Sequence, residues 1–429
     1  MNYIKNKLLV LSFMFSFVGL MAQQPVLSRD DSVTLAVAKL TKSVKALERI
    51  KITGFIHAQY QKADTLGAKS FNGGDFSALS SQRFMVRRGY IKAEYSGNFA
   101  SYSVLLNANE KGVSILDAYF SIKEPWLKAF NLKGGIFYRP FGYELGYSRV
   151  LRESPELGRV SQLLFPGERD LGASITFQMP ESSALHPLKI DAGLFTGNGI
   201  NPETDNKLDF IGRIGIADAL KKTKMDYGVG ISYYYGSVYH AKKEVFQMAD
   251  VEGIRAFRQL IADTIPGNYY KRKYLGFDGQ FNVQSLLGKT TLRGEYITGQ
   301  QPGSDNTTIS PTIPIAYNLY LRKFQGATFF LIHTLPESMF SIVIKYDFYD
   351  PNTELKGDEI GIKTTSAKAT NGTDLSYNTW GFGSITDINQ NLRLVLYYDL
   401  VKNECSKNLA GFKSDQKDNV FTVRIQYKF

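Results

Sequence analysis

The 429-residue sequence contains a single cysteine, Cys405, so no disulfide can form within the chain. It has only four histidines, His57, His186, His240 and His333, and they are scattered. None sits beside a serine motif, no G-x-S-x-G elbow is present, and no His, Cys or carboxylate cluster has metal-ligand spacing. Nucleophilic and metal-assisted catalysis therefore have no visible carrier, and no cofactor is implied. Beyond the first 22 residues no apolar run approaches the roughly 20 residues that a spanning helix requires. A helical membrane protein is excluded.

What is present begins with a leader. Lys5 and Lys7 precede the apolar stretch Leu8 to Leu20, and Ala22 supplies a small residue for cleavage, the pattern of a secretory signal peptide over 1–22. An exported chain of this size without disulfides points to a bacterial envelope. The formal charge of +11 could serve nucleic acid, an anionic surface or small anions. Export argues against nucleic acid. Aromatic residues are abundant, with 29 Phe and 26 Tyr.

After a linker, Val33, Val37, Leu40, Val44 and Leu47 recur at helical spacing among lysines, which predicts a short amphipathic helix within 23–50, either a plug-like or coiled-coil element on the periplasmic side or a helix leaning on the barrel rim. From Lys51 the period changes to two. About sixteen runs follow, among them 51–62, 82–95, 131–139, 169–180, 338–350, 391–402 and 418–429, a length that suits tilted strands crossing a bilayer. Phe340, Ile342, Ile344, Tyr346 and Phe348 alternate with Ser341, Lys345 and Asp347. Short connections such as 96–98, 285–288 and 387–390 alternate with long ones such as 63–81, 140–168, 239–269, 351–373 and 403–417. The expected fold is all-β, a transmembrane antiparallel barrel of about 16 strands over 51–429, in a bacterial outer membrane and surrounded by its lipid. The terminal Phe429, after alternating Phe421, Val423, Ile425 and Tyr427, resembles the signal read by the barrel assembly machinery.

Four pieces in order, Phe84-Met85-Val86-Arg87-Arg88-Gly89-Tyr90-Ile91, Ile115-Leu116-Asp117-Ala118-Tyr119, Gly135-Ile136-Phe137-Tyr138-Arg139-Pro140-Phe141-Gly142 and Gly167-Glu168-Arg169-Asp170-Leu171-Gly172, resemble the phosphate-selective porin O and P family. The resemblance covers about 82–175 and implies a sixteen-stranded porin, often trimeric, with a basic eyelet for anions. Where that family carries lysine before the Pro-Phe pair, this chain has Arg139.

The connection 140–168, rich in arginine and interrupted by Pro140, Pro155 and Pro166, is expected to fold into the pore mouth as a constriction. Arg139, Arg152, Arg159 and Arg169, with the wall residues Arg88, Lys92 and Lys133, are the candidate anion-selecting groups, and Asp117 and Tyr119 are expected to orient them. Arg88 is placed inward and Arg87 near the rim, because neighbours in a regular strand face opposite sides. Two bland alternatives stand beside this. Wall arginines can merely stiffen the barrel, and loop arginines can pair with Glu144, Glu153, Glu156 and Glu168. The functional expectation is passive diffusion of small hydrophilic solutes, preferring phosphate-like anions. A weakly selective general porin, or a non-conducting barrel serving as adhesin or scaffold, is the alternative.

Overall fold

The structure, a computed structural model, describes residues 29–220, 223–240, 244–260, 268–311 and 317–429. The expected leader, 1–22, lies outside them. The chain divides into two units, Met1–Ile50 and Lys51–Phe429. The first contains helix α1 (Arg29–Leu47), on which Val33, Val37, Leu40, Val44 and Leu47 are all exposed.

The second unit is a sheet closed on itself. In chain order its strands are β1 (Ile50–Ala63), β2 (Gln82–Ser96), β3 (Ala100–Asn109), β4 (Gly112–Lys123), β5 (Phe130–Tyr138), β6 (Arg169–Gln178), β7 (Leu188–Phe195), β8 (Asp209–Leu220) and β9 (Met225–His240). There follow β10 (Val245–Val251), β11 (Ile254–Gln259), β12 (Asn268–Ser285), β13 (Gly288–Gly303), β14 (Leu319–Thr334), β15 (Phe340–Asp350), β16 (Tyr377–Asp387), β17 (Leu392–Asn403) and β18 (Val420–Lys428). Of these eighteen among the described residues, β10 and β11 form a hairpin aside from the wall, so eighteen less two leaves sixteen wall strands. Every wall neighbour is antiparallel, β12 pairs directly with β9, and β1 closes the ring on β18 from Phe55↔Lys428 to Ala63↔Val420. Closure leaves no open edge for the bilayer to expose, which is why a barrel can span where an open sheet cannot.

The sixteen runs read from the sequence coincide with these strands to within a few residues. The hairpin was not foreseen. It lies inside the expected connection 239–269, and Val245↔Leu319 to Gln247↔Leu321 tie it in parallel to β14.

Alternation sets the two faces. On β15, Ser341, Val343, Lys345, Asp347 and Tyr349 are buried toward the lumen while Ile342 is exposed outward. On β18, Thr422, Arg424 and Gln426 are buried, whereas Phe421, Ile425 and Tyr427 face out. Trp380, Phe382, Phe329 and Leu331 extend the same apolar exterior. This is the inside-polar, outside-apolar wall that lipid imposes. The seam is finished by Phe429, which exchanges backbone hydrogen bonds with Gly54 at 3.0 and 3.1 Å. A side chain at Gly54 would collide with the Phe429 ring and the Tyr90 carbonyl.

Candidate functional site

The connection from β5 to β6 is folded inward across the lumen, and its sequence explains how. Phe141, Leu145, Leu157, Val160, Leu163, Leu164 and Phe165 form one buried cluster with inward wall residues Phe195, Ile211, Tyr234, Tyr274, Ile297, Phe324 and Tyr349. Burying this apolar set against the wall holds the segment inside, at roughly 25 cal/mol per Å² removed from water. Pro140 ends the strand, and short helix α2 (Arg159–Leu164) forms on the far side with Val160, Leu163 and Leu164 buried.

Backbone groups freed by this path find wall acceptors. Gly142 N–H donates to Ser232 Oγ at 2.9 Å, and the Tyr143 and Glu144 N–H groups both donate to Glu295 Oε2 at 2.8 Å. Gly142 has φ +62°, and a Cβ there would occupy the Glu295 carboxylate. Only glycine lets the backbone come so close. The Glu144 carboxylate turns back to accept from Gly158 N–H at 2.8 Å and Ser161 Oγ at 2.5 Å, while Arg159 N–H donates to Asp347.

Most of the arginines are locked to carboxylates. Arg139 Nε donates to Asp170 Oδ2 at 2.9 Å, and Arg169 Nε to Asp117 Oδ1 at 2.9 Å, both guanidiniums being almost fully buried at the two strand junctions. Arg149 and Arg152 share Glu168 at 2.5 and 3.2 Å. Glu156 accepts from Arg87 at 2.8 Å, Arg88 at 2.6 Å and Arg424 at 3.3 Å, so one loop carboxylate gathers three guanidiniums from β2 and β18. Arg293 reaches Glu153 from β13. Burial works against both loop carboxylates, yet the surrounding guanidiniums win. Arg149, Arg152 and Arg169 hold Glu168 at about 2, and Arg87, Arg88 and Arg424 hold Glu156 well below the usual carboxylate range.

Arg87 is therefore not a rim residue. Inward contacts on β2 run through odd positions, with Arg83 on Gln61 and Met85 against Gln59, and then through Arg88 and Tyr90 at even ones. The strand changes phase between Arg87 and Arg88. Such a one-residue irregularity is what a β-bulge produces, and it brings adjacent arginines to the same side.

The other sequence-predicted groups fall elsewhere. Lys92 pairs with Glu94 at 2.7 Å on the half-exposed wall. Lys133 lies over the Tyr119 and Phe137 rings at 4.8 and 5.2 Å, so Tyr119 stacks beneath a lysine and Asp117 grips Arg169. Arg159 is held between the Phe71 ring at 4.2 Å and the Tyr377 ring at 3.8 Å. Neither Lys133 nor Arg159 forms a salt bridge among the described residues. Each lines a cavity, of about 430 Å³ beside Lys133 and about 500 Å³ beside Arg159. Lys189, half exposed, and Arg213 share the first of these. Glu295 as an anchor for the loop, and the apolar cluster, are features of the structure that the sequence expectations do not contain. The Phe141, Leu145, Leu157 and Leu163-Leu164-Phe165 run was the available signal for the latter.

A closed sixteen-stranded barrel with an apolar belt, long connections gathered on one rim and the β5–β6 connection of that rim tucked into the lumen defines the porin fold of the bacterial outer membrane. Solved structures agree. The chain is similar to OprB of Pseudomonas putida in its high-pH structure (TM-score 0.57, 10% identity, 90% of this chain and 96% of that one). It is similar to the outer membrane channel DcaP of Acinetobacter baumannii (TM-score 0.53, 10% identity, 89% and 97%) and to Salmonella typhi OmpF in complex with daunomycin (TM-score 0.51, 10% identity, 89% and 97%). No family model matches the sequence, and no curated protein matches it.

Proposed function

We propose that this barrel is a passive diffusion channel for small hydrophilic solutes that prefers anions, phosphate-like ones among them, with the 140–168 segment as its constriction. It acts without a cofactor or a covalent step. The observation that carries the preference is that Arg159 and Lys133 remain without carboxylate partners while each borders an open cavity. A fixed cation beside water replaces part of an anion's hydration shell and repels cations. The phosphate preference draws further support from the resemblance of 82–175 to the phosphate-selective porins. On this reading the chain sits in outer-membrane lipid as a homotrimer, inserted by the barrel assembly machinery through its Phe429 end.

One observation favours a milder version, a weakly selective general porin: Arg139 and Arg169 are each paired with one carboxylate, and Arg88, Arg149 and Arg152 are partly neutralised by the shared Glu156 and Glu168. Planar-bilayer recording decides between them. The expected result is stable conductance with a reversal potential of anion-selective sign in a KCl gradient, reduced when Lys133 and Arg159 are both changed to Gln. A protein that inserts and carries no current removes the channel reading and leaves the scaffold or adhesin. An unchanged permeability ratio in the double variant moves the preference to other residues.

A further inference from the structure

We infer that the cavity around Arg159 recognises a carboxylate-bearing sugar, a uronic acid, so that the solute this channel favours is an organic anion; this rests on the channel reading above. The cavity, about 500 Å³, is assembled from five connections: Phe71 before β2, Arg159 of α2, residues 305–309 after β13, Asn371, Gly372, Thr373 and Leu375 before β16, and Phe412 before β18. That volume lies within the usual range for small-molecule sites and suits one or two sugar rings.

Three features of its wall point to the ligand. First, the guanidinium is stacked between Phe71 and Tyr377, so its faces are covered and its N–H groups are available only along the edge. An edge-on fork is the geometry that takes a carboxylate through two parallel hydrogen bonds. Second, the polar side chains beside it include donors and acceptors not used within the protein. Asn371 is consumed, its Nδ2 donating to the Asp305 carbonyl at 2.7 Å and its Oδ1 accepting from Thr373 N–H at 2.8 Å. The Thr373 hydroxyl and the Asn306 Nδ2 have no partner among the described residues, and both line the cavity. They suit the hydroxyls of a sugar. Third, Phe412 and Leu163 offer apolar surface to the C–H face of a ring.

Inorganic phosphate would occupy the fork and leave most of the cavity to water. A neutral sugar would use the hydroxyl side and leave the guanidinium fork without an anion hydrogen-bonded to it. A uronic acid meets both needs.

The test is calorimetric titration of the full-length, detergent-solubilised protein with galacturonate, galactose and inorganic phosphate, alongside bilayer recording of the same preparation. Galacturonate is expected to bind at least tenfold more tightly than either comparison solute, and Arg159→Gln to remove at least tenfold of that affinity. The paired change Asn306→Ala with Thr373→Val should weaken galacturonate several-fold and leave phosphate unaffected. Phosphate binding as tightly as galacturonate, or galacturonate affinity unchanged in Arg159→Gln, overturns the inference. If Arg159→Gln fails to fold, Phe71→Leu takes its place, and unchanged galacturonate affinity there has the same force. A protein that binds galacturonate through Arg159 but passes no current retains this site and loses the channel reading. One that conducts with anion preference and ignores galacturonate does the reverse.

Discussion

Two parts of the same inward-folded segment use the same side chain in opposite ways. At its strand junctions and along its β2 and β18 side, arginines meet Asp117, Asp170, Glu156 and Glu168 and are buried in ion pairs. At α2, Arg159 meets two aromatic rings and a cavity. A buried guanidinium matched by its own carboxylate, as Arg139 by Asp170 and Arg169 by Asp117, offers a solute little field because the pair is close to neutral from outside, and sharing Glu156 or Glu168 weakens the field of the other arginines in part. A guanidinium clamped by rings, with Asp347 and Asp418 nearby but neither in an ion pair with it, keeps more of its charge for a solute. Position relative to a carboxylate, and not the arginine itself, separates fastening from recognition.

The strongest way to break this comparison is at Glu156. Glu156→Gln leaves Arg87, Arg88 and Arg424 without their shared carboxylate, and losing one partner of a buried ion pair costs on the order of 3–5 kcal/mol. Chemical denaturation should show that loss, and single-channel records should become noisy as the segment loosens. Quiet records and unchanged stability would mean that the clamp is not what holds it.

Acid should act on the neighbouring clamp. The Glu168 carboxyl is held at about 2, below its unfolded value, so its stabilising contribution is complete above the unfolded pKa and disappears as pH falls through about 2. A stabilisation on the order of 3 kcal/mol should therefore persist from neutral pH to about 4 and fade below that. Glu168→Gln should lack this acid dependence when unfolding is followed against pH.

Exchanging the two kinds of arginine sharpens the contrast further. Arg139→Gln strands the buried Asp170 and should lower stability by on the order of 3 kcal/mol without altering the anion-to-cation permeability ratio. Arg159→Gln forfeits ring stacking worth about 1–2 kcal/mol and should lower that ratio. A ratio that responds to Arg139 and ignores Arg159 would invert the assignment.

The smallest expected effect lies at Asp418. Burial raises its carboxyl to about 6, with Asp415 and Asp64 adding to the rise and Arg159 opposing it. Below that pH it is neutral and only Asp347 among the carboxylates acting on Arg159 still bears on it; above it, the Asp418 carboxylate offsets the cation further. Reversal potentials should show anion preference weakening slightly between pH 5 and 7, and Asp418→Asn should flatten that slope.

Much of this molecule can be read locally. Strand β15 betrays itself because side chains in a pleated strand alternate strictly, so Lys345 and Asp347 fall inward and Ile342 outward with no knowledge of partners. The inward connection is visible as length, proline and arginine between two clear strands. Hairpin β10–β11 is not visible in this way. Its strands, VFQMADV and IRAFRQ, are short and mixed in character, and they are fixed by pairing with β14 and by packing of Phe246, Met248 and Phe257 against Tyr320, Ile360 and Leu375. The phase change at Arg87 is equally silent, because a change of facing along a strand leaves composition unaltered.

The sequence by itself determined the barrel, a strand number of about sixteen, its membrane-facing belt and the place of the long arginine-rich connection, since periodicity and connection length are local properties of the chain. Only the tertiary structure decided what each arginine does. Arg424 meets Glu156 across 268 residues, Arg169 meets Asp117 across 52, and Arg159 is caught by Phe71 and Tyr377 from two distant connections. Charge is written in the residue, but whether it is cancelled depends on which side chains the closed barrel brings within a few ångströms of it.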